Sequence, residues 1–196
     1  MKTKILFFLI TLLPFTFMAV NDNPHGKTTS KISVSPITTH RGDTAVLVIS
    51  LSNPDETYNG FQMDLQLPEG ISLCNNRRSG YQFTLSDRVR KAQPSVVIKE
   101  QKAGFFRILL FSFNQAPIIG NSGPIITLPI ITDANMKKGK YHGTLSNIIF
   151  NKKDNKGANM EDVEIEFKVK KKKRVAIHLR RQLSFQEKLH SIDYKA

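Results

Sequence analysis

The stretch NGFQMDLQLPEGISL, residues 59 to 73, limits the fold more than any other part of the chain. Phe61, Met63, Leu65 and Leu67 recur at every second position, with Gln62, Asp64 and Gln66 between them. Only extended backbone sends successive side chains to opposite faces, so this period of two predicts a strand with one buried and one wet side. Pro68 cannot donate to a ladder and Gly70 frees the backbone, so the strand stops at Pro-Glu-Gly.

The same signature repeats along the chain. KISVSPI (31 to 37) leads through THRGD into TAVLVISLSN (44 to 53), where Ala45, Leu47, Ile49 and Leu51 alternate with Thr44, Val46, Val48 and Ser50. After the turn NPDETYNG and the strand above, YQFTLSDR (81 to 88) reads as the next strand. SVVIKEQ and FFRILLFSF flank Lys102-Ala103-Gly104, a short glycine-containing connection of hairpin type. IITLPIITD (125 to 133), KYHGTLSNIIFN (140 to 151) and DVEIEFKVK (162 to 170) complete the set. Eight or nine short strands, with turn residues between them and no helical period of useful length, predict an all-β antiparallel two-sheet sandwich. A barrel is the structural alternative, but the variable strand spacing suits two stacked sheets better. No repeat or linker divides 31 to 170, which reads as one domain.

The formal charge of +13 suggests a nucleic-acid or membrane partner until it is divided along the chain. Residues 21 to 167 carry 17 Lys+Arg against 14 Asp+Glu, whereas residues 168 to 196 carry 10 against 2. The basic character therefore belongs to the end of the chain, and no nucleic-acid partner is expected for the domain. At the other end, Lys2 and Lys4 precede an apolar run from Ile5 to Met18, with Ala19 as a small residue for cleavage. Residues 1 to 20 read as a secretory signal peptide, with an uncleaved anchor as the alternative, although Phe17 fits poorly three positions before a cut after Ala19. The expectation is a secreted or cell-surface domain with no transmembrane span after signal removal, preceded by a flexible segment at 21 to 30. Cys74 is the only cysteine, which excludes an intrachain disulfide and a Cys-based zinc site. It reads as a small, buried apolar residue.

No constellation of catalytic type emerges. His25, His40, His142, His178 and His190 lack metal-ligand spacing, and GNSG at 120 to 123 is not a nucleophile elbow. Asp55-Glu56 lies in a turn, and Asp162, Glu164 and Glu166 share the wet phase of the last strand beside lysines. KKDNKGANM (152 to 160) is too basic for a calcium loop. Arg41-Gly42-Asp43 has ordinary turn reasons for its glycine and aspartate. There is no Trp, and Tyr58, Tyr81, Tyr141 and Tyr194 form no periodic row, which lowers direct sugar stacking relative to a protein partner. No catalytic residue, cofactor or metal is predicted.

Four stretches in order carry a resemblance: Gly42-Asp43-Thr44, NGFQMDLQLPEGISL, FRILLFS followed by IIGNSGPIITLPI, and KKGKYHGTLSNIIF. Together they resemble a cohesin-like domain of the cohesin and carbohydrate-binding module superfamily, over about 31 to 170. The resemblance implies a nine-stranded jelly-roll sandwich that binds its partner on an outer sheet face, and the domain is expected to be a monomer. In cohesins that partner is a calcium-loaded dockerin domain; in sister modules it is a polysaccharide. Carried onto this sequence, the partner-facing positions are Gln62, Asp64 and Gln66, residues that a merely solvated strand face would also require. The function expected is non-enzymatic recognition of a dockerin-like protein, with a carbohydrate-binding module as the alternative.

The tail, 171 to 196, departs from the family's usual continuation. It reads as a disordered solvated end, as a basic arm for anionic cell-surface polymer, lipid head groups or nucleic acid, or as the out-of-frame product of a slip at Lys170 to Lys173.

Overall fold

The computed structural model describes residues 29–154 and 156–171. The expected signal peptide, most of the segment at 21 to 30 and the tail beyond Lys171 lie outside the described residues. In chain order the strands are β1 (Lys31–Val34), β2 (Ile37–His40), β3 (Thr44–Ser52), β4 (Gly60–Gln66), β5 (Ile71–Leu73), β6 (Asn75–Asn76), β7 (Gly80–Tyr81) and β8 (Thr84–Leu85). A single helical turn, α1 (Asp87–Arg90), precedes β9 (Ser95–Lys102), β10 (Phe105–Phe111), β11 (Ser122–Thr132), β12 (Gly139–Asn151), β13 (Gly157–Asn159) and β14 (Val163–Lys170).

Two sheets stack face to face. One runs β1-β3-β11-β5, with β8 also paired to β11; the other runs β2-β14-β12-β4-β10-β9, with β13 beside β12. This is the two-sheet sandwich that the alternation predicts, in the jelly-roll form that the resemblance implies. The apolar phase of each strand points between the layers: Phe61, Met63 and Leu65 from β4, Leu47, Ile49 and Leu51 from β3, and Leu128 and Ile130 from β11 are all inaccessible to solvent. Burying each such side chain contributes about 1.5–3 kcal/mol, so strand phase is the largest determinant of the fold.

Three details depart from the sequence reading. KISVSPI is two strands in different sheets, because Pro36 cannot donate to a ladder and the chain changes sheets there without reversing direction. In consequence β2 pairs with β14 in parallel, the exception to the antiparallel rule. YQFTLSDR is not one strand but β7, β8 and the start of α1. Fourteen strands are described rather than eight or nine, the surplus coming from pieces of two or three residues.

Two glycines bracket the central strand for physical reasons. A Cβ on Gly60 would lie 2.7 Å from the Leu110 backbone oxygen, so the close approach of β4 to β10 requires its absence. Gly70, at φ +85°, closes the Pro68 turn, in which the Ile71 N–H donates to the Pro68 carbonyl at 3.0 Å.

Candidate functional site

The outward face of β12-β4-β10-β9 is assembled by register. Lys99, Arg107, Asp64 and Ser146 lie side by side across the four strands, and Val97, Leu109, Gln62 and Ile149 form the next row. Ser95, Phe111, Gly60 and Asn151 form the row beyond. Gln62, Asp64 and Gln66 therefore share this outer face, as the alternation of β4 requires.

Their surroundings differ from those of a solvated strand. Asp64 has no accessible surface, because Arg107 and Asn147 cover it. Arg107 donates from Nε to Oδ1 and from Nη2 to Oδ2, both at 2.8 Å, a bidentate fork. Asn147 donates from Nδ2 to Oδ2, also at 2.8 Å. The Arg107 hydrogen bonds hold the Asp64 carboxyl below its ordinary range, outweighing the opposing effect of burial, and Asn147 adds to them. Gln66 donates to the carbonyls of Leu67 and Gly104, at 3.0 and 3.1 Å, so its amide ties β4 to the β9–β10 hairpin. Gln62 is half-buried between Leu109 and Ile149, its register neighbours on either side.

Asn147 reaches Asp64 because β12 carries an irregularity between Ser146 and Ile149, with Asn147 at φ +48°. The extra residue turns this side chain onto the outer face. Asparagine tolerates the left-handed region better than most residues, a local fit that the sequence KYHGTLSNIIFN does not advertise.

Around this neutralised centre the face is apolar. Val97 is 48% exposed, Leu109, Phe111 and Ile149 are half-buried, and Phe113 is 84% exposed. The Phe113 ring meets Phe111 edge-on, with centroids 4.9 Å apart. Lys102 Nζ lies 5.4 Å from the Phe105 ring centroid at the hairpin end of the same face. Alternation identified β4 but missed these residues, because a strand such as FFRILLF is apolar in both phases. The lone arginine in that run was the available signal, since a cation on a half-buried strand needs a carboxylate across the ladder.

The remaining candidates resolve into structural roles. Tyr58 is wholly buried, its hydroxyl bonded to Ser30 Oγ at 2.9 Å and to Glu56. Arg41-Gly42-Asp43 is the turn into β3, closed by the Asp43 N–H donating to the His40 carbonyl at 3.1 Å. On β14, Glu166 pairs with Lys140 at 3.0 Å and Glu164 with His142 at 2.6 Å. Cys74 is half-buried, and burial raises its thiol pKa. Among the described residues, no three His, Cys, Asp or Glu side chains are placed to hold a metal ion, and no helix is long and apolar enough to cross a membrane.

A two-sheet jelly-roll with one open, semi-apolar sheet face defines the class of fold, and comparison with solved structures narrows it. No protein-family model matches the sequence, and none of the curated proteins does. The fold is similar to the seventh ScaB type I cohesin from Pseudobacteroides cellulosolvens, with a TM-score of 0.60 and 14% identity, covering 74% of this chain and 95% of that one. It is equally similar, at TM-score 0.60 and 14% identity, to the cohesin module of a Clostridium perfringens family 33 glycoside hydrolase, covering 74% of this chain and 100% of that one. A type I cohesin–dockerin complex from Clostridium thermocellum matches with TM-score 0.55 and 13% identity, over 74% and 96% of the two chains. The described part of the chain is thus a cohesin-like domain by fold.

Proposed function

We propose that the chain is an exported, non-enzymatic recognition module whose partner, a dockerin-like protein, seats on the outer face of β12-β4-β10-β9. One observation carries the reading: apolar side chains, the exposed Val97 and Phe113 and the half-buried Leu109, Phe111 and Ile149, surround a carboxylate already neutralised by Arg107 and Asn147. Specific interfaces have an apolar centre depleted of free charge and a polar rim. Because Asp64 keeps its hydrogen bonds within the sheet, a partner covers this patch without stranding a lone charge. Gln62 remains to hydrogen-bond the partner at the centre, Asp64 fixes Arg107 as a donor, and Gln66 holds the hairpin that carries Val97. A sheet locked by cross-strand pairing loses little entropy on docking, so its surface energy goes into affinity. The fold shared with the cohesin of the Clostridium thermocellum complex supports a protein partner of the same kind here.

Isothermal titration against dockerin modules from the same organism's secreted proteins, with calcium and with chelator, tests the proposal. Binding is expected with calcium, and Leu109→Asp should weaken it by about 100-fold, as loss of a central contact does. Val46→Asp, on the opposite sheet and 56% exposed, should leave it unchanged. Equal loss from both variants, or no dockerin bound, would overturn the reading. The exposed Phe113 ring favours a second reading, a glycan stacked on this face. Retention on a polysaccharide column that disappears with Phe113→Ala would put the glycan in the partner's place.

A further inference from the structure

A second feature lies on the β2-β14-β12 half of the same sheet, at the end where β14 runs out. The polar phase of β14 reads Glu164, Glu166, Lys168, Lys170, so acids gather at one end and lysines at the other. Lys140 lies directly opposite Lys168 in the ladder, and on the far side of β14 the register neighbours of Lys168 and Lys170 are Thr38 and His40, neither of them a carboxylate. Lys138 and Lys171 complete the cluster around a groove of about 440 Å³ that Gly139 and Val169 also line. Lys140 alone of these has an ion pair among the described residues, with Glu166; Lys138, Lys168, Lys170 and Lys171 have none. A surface shaped only for solubility intersperses the two signs, and like charges directly opposite in a ladder destabilise it. Glu166 balances only one charge of this cluster, and an anion that joins it would balance the rest.

We infer that this groove binds an acidic polysaccharide, a chain bearing repeated carboxylate or sulfate groups. Cross-strand neighbours stand about 5 Å apart and alternate residues along a strand about 7 Å apart, so the lysines form a grid of point charges that suits evenly spaced anions along a polymer. The groove holds no arginine fork for bidentate phosphate contacts and no aromatic ring for base stacking, which disfavours nucleic acid. It holds no large exposed apolar side chain to enter a bilayer.

The test applies the full chain to immobilised heparin (sulfated), polygalacturonate (carboxylated) and neutral dextran, with duplex DNA and anionic vesicles as competitors. The acidic polysaccharides are expected to retain the protein at low salt and release it as salt rises, while dextran does not retain it. The triple variant Lys138→Gln, Lys168→Gln, Lys170→Gln should bind at least about tenfold more weakly, with a thermal midpoint no lower than the parent's because like-charge repulsion is relieved. Lys168→Arg with Lys170→Arg keeps the charge and should bind as the parent does, which separates charge from misfolding. Undiminished binding by the triple variant would assign retention to the tail beyond Lys171 and overturn the proposal. Stronger binding to DNA or to vesicles than to either polysaccharide would overturn it as well.

Discussion

Replacing Arg88 with lysine tests whether one side chain of α1 locks the end of the sandwich. Its guanidinium uses all five of its N–H groups. Nε donates to the Ile119 carbonyl at 2.7 Å, Nη1 to the carbonyls of Leu51 and Gly123 at 3.0 and 2.9 Å, and Nη2 to Asn53 Oδ1 and the Gly120 carbonyl at 2.7 and 2.8 Å. These acceptors come from the end of β3, from the segment after it and from the approach to β11, so one residue ties three pieces of chain together. Every acceptor is neutral, and partial burial without a counter-charge lowers the pKa of the group. The bonds to Ile119 and Gly120 are exposed and water replaces them at little cost, whereas those to Leu51, Gly123 and Asn53 are partly buried. At about 1 kcal/mol net for each partly buried bond, Arg88→Met should cost about 3 kcal/mol. A lysine ammonium cannot span the five acceptors and keeps one or two, so Arg88→Lys should cost about 2 kcal/mol. For a domain of this size that lowers the thermal midpoint by about 5–8 °C, readable by calorimetry and by urea titration of the same samples. The loss should be flat with pH between about 5 and 9, since no carboxylate partners the guanidinium. Arg88→Lys within about 0.5 kcal/mol of the parent would refute the reasoning, since the five contacts would then be exchangeable with solvent.

The remaining predictions concern the central strand. The depressed pKa of Asp64 contributes stability that is complete above its unfolded pKa of about 4 and fades as pH falls through the lower folded value. Acid titration of the melting temperature should therefore show a step below about pH 4 that is absent in Asp64→Asn, and an unchanged step would assign it to other carboxylates. Gly60→Ala places a methyl 2.7 Å from the Leu110 oxygen, a backbone atom that moves only with β10, and should cost about 1–3 kcal/mol in chemical denaturation. A loss below about 0.5 kcal/mol would show that β4 and β10 separate easily. Asn147→Gly relieves the backbone at φ +48° but deletes the hydrogen bond to Asp64, so it should be tolerated better than Asn147→Ala, which keeps the strain and loses the bond; the reverse order would show that φ is not limiting there.

What the chain alone settled was strand phase. Phe61, Met63 and Leu65 had to face inward because the period of two is a property of extended backbone, and Lys102 to Gly104 had to turn because the strands on either side pair locally. Proximity across the sheet was not legible. Asp64 meets Arg107 43 residues on and Asn147 83 residues on. Val97 and Leu109 sit on the neighbouring strands β9 and β10, but Ile149 on β12 joins them only across β4, a strand that precedes all three in the chain. Phe113 followed an apolar strand phase in the sequence, yet its residue lies beyond the end of β10 and its ring stands in solvent. The five acceptors of Arg88 are equally remote from it. Alternation reports which side of a strand is wet, a local quantity; which outward side chains neutralise or extend one another depends on strand order and register, which are fixed only when the sheets close around their shared core.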